Sequence, residues 1–95
     1  MDSGLAAKVR PALILSRTPG DNDRALVTMV PHTTAVRGSA YEVAVRAGFL
    51  REGAFDAQNL VTIPLAKFMR GLGQLSPQQL GLVETAICLW LGIER

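Results

Sequence analysis

The stretch Lys8-Val9-Arg10-Pro11-Ala12-Leu13-Ile14-Leu15-Ser16, answered by Ala25 to Thr34 (ALVTMVPHTT), decides the fold. Each segment holds a run of branched and aliphatic residues of strand length, with a polar residue at one end. Arg10 precedes the first run, and Thr33 and Thr34 close the second. Between them lies Pro19-Gly20-Asp21-Asn22-Asp23, whose residue types favour a tight reversal. The pair therefore predicts an antiparallel hairpin. A guanidinium beside hydroxyls, held by two rigid strands, suits a phosphate group, and it points to RNA before any metabolite.

Outward from the hairpin the pattern stays mostly extended. Pro31, which has no N–H to donate, is expected to mark a strand end. Thr33 to Ala40 reads as a polar loop with Gly38 near its tip, and Tyr41 to Val45 as a third strand. Ala47 to Asn59, with Gly48, Gly53 and two phenylalanines, reads as an irregular connection folded over the core. Leu60 to Leu65 gives a fourth strand with Pro64 at an edge or bend, and Lys67 to Met69 a single helical turn. Arg70 to Gln74 is short and glycine-interrupted.

Ser76-Pro77-Gln78-Gln79 then spells a helix start: hydroxyl at the cap, proline first, glutamine third. Leu80, Val83, Ile87 and Trp90 or Leu91 recur at helical spacing, while Leu82, Ala86 and Leu89 add apolar surface on another side. A helix that apolar is expected to pack on a sheet and also to meet a partner. Gly92 is placed to end it in a left-handed cap, with Ile93 folding back. The architecture predicted is mainly β with α (α+β), a single domain over residues 1–95. It takes the form of a small, partly open β-barrel with a C-terminal helix.

Composition fits one small globular domain: 48% apolar and 19% charged residues with a net charge of +2. Eight of the ten cations are arginine, the residue suited to forked contacts with phosphate oxygens. Cys88 is the sole cysteine, which excludes an internal disulfide and a cysteine-based zinc site. No run approaches the roughly 18 apolar residues of a membrane span, and Ala12 to Leu15 is too short for a signal-peptide core. A cytoplasmic protein without membrane attachment is expected. The carboxylates are scattered, with only Asp21 and Asp23 close together, so a metal site is not expected. A histidine-pair acid–base mechanism is excluded because His32 has no second histidine to work with.

In order along the chain, the motifs resemble those of the MazF/PemK toxins of bacterial toxin–antitoxin systems. Lys8 to Ser16 is similar to that family's basic-x-Arg-Pro-x-aliphatic strand, and Val30-Pro31-His32-Thr33-Thr34 to its Thr-Thr/Ser strand end. Arg37-Gly38 followed by Tyr41-Glu42-Val43, Asn59 to Ile63, and Leu72 to Leu80 resemble three further elements. The resemblance implies a homodimeric, SH3-like barrel of the CcdB/PemK type that cuts single-stranded RNA at short sequences without metal or other cofactor. It also implies neutralisation by a small MazE-like antitoxin. The family's catalytic arginine falls on Arg10 and its catalytic threonine on Thr33. The family's usual first strand, Gly-Asp-(Ile/Val)-(Val/Tyr), has no counterpart in the seven residues before Lys8, so a missing or truncated strand is expected there.

The chemistry is coherent. Attack by a ribose 2′-hydroxyl on phosphorus gathers negative charge on the non-bridging oxygens, which a fixed guanidinium at Arg10 stabilises. Thr33 can donate a hydrogen bond to the phosphate, but its hydroxyl is too weakly acidic to act alone as general base. Lys8, Thr34 and Arg37 are candidate phosphate contacts beside them. His32 joins this substrate-binding set only if the strand has ended before it; within a strand it and Thr33 point to opposite faces. Tyr41 is available for base stacking or for the core. Two other functions compete: a CcdB-like gyrase poison, suggested by Trp90-Leu91-Gly92-Ile93, and a catalytically inert antitoxin-binding module.

Overall fold

A computed structural model describes residues 10–68 and 71–94. Lys8, the segment in which a first family strand was sought, and Met69 lie outside the described residues. The elements are β1 (Ala12–Ile14), β2 (Leu26–Thr33), β3 (Glu42–Ala44), β4 (Ala54–Asp56), β5 (Val61–Pro64) and one helix, α1 (Pro77–Leu91). Two short 3-10 turns, Ala57–Asn59 and Leu65–Lys67, flank β5.

β2 is the spine of an antiparallel sheet. Its middle, Met29 to Pro31, pairs with β1 on one edge, Leu13 opposite Val30, and its first half, Leu26 to Met29, with β5 on the other, Val27 opposite Ile63. Its last two residues pair with β4, which in turn pairs with β3. Among the described residues no ladder joins the outer strands, so the sheet is not closed into a barrel.

The predicted hairpin forms, and the reversal contains a Gly20 N–H bonded to the Asp23 carboxylate at 2.8 Å. Pro31 does not end the strand as expected; β2 runs on to Thr33. His32 donates its N–H to the Pro11 carbonyl across the β1 edge, so the N of Pro31 faces the opposite edge. There it falls between the stretches paired with β4 and β5, and no ladder bond is lost.

The connection over 47–59 also differs from expectation, because it contains β4. Gly53 leads into that strand for a steric reason. A Cβ there would drive into the Thr33 carbonyl oxygen and lie 2.8 Å from Cε1 of His32. Glycine lets β4 close on the end of β2.

The core is Val30, Val45, Phe55 and Val83, with Leu13, Leu15, Leu60 and Ile87 packed against it. α1 supplies Val83 and Ala86 to the buried side. Its N-terminus is the predicted capping box: Ser76 Oγ accepts from Gln79 N–H at 3.1 Å, and the Gln79 side-chain Oε1 accepts from Ser76 N–H at 3.0 Å. Such a cap contributes about 1 kcal/mol. Gly92 ends the helix at φ 71°, and Ile93 N–H returns to the Cys88 carbonyl at 2.9 Å. The Trp90-Leu91-Gly92-Ile93 sequence is thus the close of a helix. Leu82, Leu89, Trp90, Leu91 and Ile93 remain exposed.

Candidate active site

The β1–β2 register fixes the site. Ala12 lies opposite Pro31, and the His32-to-Pro11 bond, 3.0 Å long, carries the same register one step further. Carried one residue past that bond, the same register brings Arg10, ahead of β1, to the level of Thr33 at the end of β2. Both residues line a cleft of about 250 Å³. Pro31, His32, Arg37, Glu42, Asp56 and Asn59 line it too.

The walls divide by charge. Arg10 and Arg37 are exposed, so their guanidiniums are available to a ligand. The two carboxylates are engaged by the protein itself. Asp56 accepts from Gln58 N–H at 3.1 Å and from the Asn59 amide at 2.6 Å. Glu42 accepts from the backbone N–H groups of Arg37, at 3.0 and 3.1 Å, and of Ser39 at 2.8 Å. Those backbone donors hold the Glu42 carboxyl below its ordinary pKa. The cleft therefore offers cations outward and keeps its anions occupied.

Thr33 is half-buried, and its Oγ1 accepts from Ala35 N–H at 3.0 Å. With one lone pair so used, the hydroxyl proton is left to donate elsewhere. Thr34 is exposed in the bend beyond β2 and does not line the cleft.

His32 borders the cleft, yet the residue is only 3% exposed. Because the strand continues, the imidazole leaves on the face opposite Thr33. It meets Phe55 edge-on at 5.1 Å and 77°, and Nε2 has no hydrogen-bond partner. Burial pushes the His32 pKa down. Buried this way, the imidazole packs under the cleft and is no surface contact.

Tyr41 packs edge-on against Trp90 of α1 at 5.1 Å and does not line the cleft. Glu42, Asp56 and Asn59 are cleft residues that sequence reasoning missed. Only Asp56-x-x-Asn59 carried a signal, an acidic residue placed to cap its own turn.

Comparison with known proteins finds relatives of this chain by sequence and by fold. Residues 3–91 match the family described as PemK-like, MazF-like toxin of type II toxin-antitoxin system. The chain is similar to endoribonuclease MazF3 of Mycobacterium tuberculosis, 38% identical over 82 residues, covering 84% of this chain and 80% of that protein. Its structure resembles M. tuberculosis toxin MazF-mt6 with a TM-score of 0.79 and 34% identity, over 94% of this chain and 92% of that one. It also resembles a mycobacterial endoribonuclease solved in complex with its cognate antitoxin, with a TM-score of 0.77 and 28% identity over 90% and 84% of the two chains.

Proposed function

Because this chain belongs to the PemK-like, MazF-like toxins of type II toxin–antitoxin systems, we propose that it is an endoribonuclease that cuts single-stranded RNA without a metal ion. The observation that carries this is the cleft shared by Arg10, just ahead of β1, and Thr33, at the end of β2. The name of its M. tuberculosis relative, endoribonuclease MazF3, points the same way.

The reaction is an internal transfer. The 2′-oxygen bonds to phosphorus as the P–O5′ bond breaks, leaving a 2′,3′-cyclic phosphate and a free 5′-hydroxyl. The 2′-hydroxyl gives up a proton, and the departing 5′-oxygen gains one. Arg10 neutralises the charge that builds on the non-bridging oxygens. Thr33 donates its hydroxyl proton in a hydrogen bond to one of those oxygens while Ala35 N–H orients it. Arg37 holds a neighbouring phosphate on the rim. The cleavage sequence is read by hydrogen bonds from the loops, as suits flexible single strands.

The protein acts as a homodimer in the cytoplasm, and a MazE-like antitoxin silences it by covering the cleft. Dimerisation is supported by the exposed Leu82 and Leu89, 53% and 59% accessible and two helical turns apart on α1. The test is incubation of the chain with long single-stranded RNA in chelator, followed by mapping of fragment ends. Discrete cuts are expected, with Arg10→Ala or Thr33→Ala slowing them by about 10²- to 10³-fold. Intact RNA would refute the assignment. Gyrase-dependent DNA breaks would instead favour the CcdB-like poison, and antitoxin binding without cleavage the inert module.

A further inference from the structure

We propose that Glu42 is a positioning residue that holds Arg37 at the cleft rim by gathering the backbone of the loop that carries it. The inference rests on the ribonuclease assignment for its consequence, though not for its geometry.

Glu42 opens β3, whose ladder to β4 fixes its backbone through the pairing with Asp56. From that anchor the carboxylate reaches back five residues. Both of its oxygens accept from Arg37 N–H, and one also accepts from Ser39 N–H at 2.8 Å. The loop turns between these donors at Gly38, with φ 79°. Two smaller bonds complete the closure: Tyr41 N–H to Ser39 Oγ at 3.0 Å, and Glu42 N–H to the Ser39 carbonyl at 3.2 Å.

Without an acceptor at position 42, the N–H groups of Arg37 and Ser39 would turn to water, and the loop from residue 34 to 41 would lose its tether. Arg37 is exposed, so nothing buried holds its side chain over the cleft. Its placement comes from its own backbone. A charged acceptor binds amide N–H groups about twice as strongly as a neutral one, which accounts for a carboxylate rather than an amide at this position. The carboxylate makes no hydrogen bond to a ligand in this role; it acts through Arg37.

The tests use the full chain. In a two-dimensional amide NMR titration, the Arg37 and Ser39 N–H resonances should move together as Glu42 protonates, with a midpoint below that of an ordinary glutamate. Resonances that ignore the titration would overturn the clamp. For function, Glu42→Gln, Arg37→Ala and the double variant are compared in RNA cleavage after circular dichroism has shown each to be folded. Glu42→Gln should raise KM about tenfold, the loss expected for a charge-assisted bond, with kcat changed less than about twofold. In the Arg37→Ala background the same substitution should have little further effect. Multiplying losses, or a fall confined to kcat, would refute action through Arg37. If the wild-type chain cuts no RNA while the amide titration is intact, the ribonuclease assignment fails and the clamp stands. If cleavage is present and the titration is absent, the clamp alone fails.

Discussion

Replacing Gly53 with alanine tests whether the cleft depends on the close approach of β4 to β2. The added Cβ would lie 2.8 Å from Cε1 of His32 and 3.0 Å from the Thr33 carbonyl carbon, and it would drive into the Thr33 carbonyl oxygen. Relaxed carbon–carbon contact needs roughly 3.5 to 4.0 Å, so β4 and β2 must separate by about 1 Å. The Thr33 carbonyl is backbone and cannot rotate aside. The movement would strain the ladder at His32–Phe55 and Thr33–Ala54, the only two residue pairs joining these strands among the described residues. Overpacking of this kind costs about 1–3 kcal/mol. In a domain of this size each kcal/mol lowers Tm by about 4–8 °C, so a fall of roughly 4 to 24 °C is expected. Misplacing a reacting group by about 1 Å costs about 100-fold in rate, and Thr33 is the residue displaced. Thermal melts by circular dichroism and single-turnover cleavage of a short RNA well below Tm measure the two effects. Gly48→Ala is the control, since a Cβ there meets nothing within 4 Å. A Gly53→Ala variant that melts within about 2 °C of wild type and cleaves at the wild-type rate would refute this account of the β2–β4 contact.

Two further predictions concern pH and assembly. Burial lowers the His32 pKa from 6.5, so the unfolded chain binds more protons near that pH than the folded one. The stability held by the neutral ring is complete above about pH 6.5 and is lost as pH falls through the lower folded pKa. Tm should decline on acidification through this range, and His32→Phe should flatten the decline; an unchanged slope in the variant would refute it. In sedimentation, the 10.2 kDa chain should run as a dimer, and Leu82→Lys with Leu89→Lys should dissociate it. A stable wild-type monomer would remove the dimer from the proposal.

The legible parts of the chain were those whose information is local. The β1–β2 hairpin and the Ser76–Gly92 helix follow from turn chemistry, capping residues and apolar spacing. The meeting of Arg10 and Thr33 follows from the hairpin once its register is known. β4 was missed because its three residues carry no alternation of their own. What makes them a strand is contact with β2, and the clue to that contact is the absent side chain at Gly53. Pro31 misled because the prohibition on proline in a strand concerns only the edge its nitrogen faces. Glu42 looked like one more residue of a half-buried strand. Its backward reach to Arg37 depends on how the loop turns at Gly38, which no spacing rule encodes. His32 could be placed on either face until the length of β2 was known.

One strand holding ladders to three others has a consequence for how the molecule comes apart. β2 cannot peel away while its neighbours stay ordered, because β1, β4 and β5 all take hydrogen bonds from it. Its opening and the collapse of the whole sheet are a single event. Thr33, at the end of that strand, is held there by its pairing with Ala54 of β4.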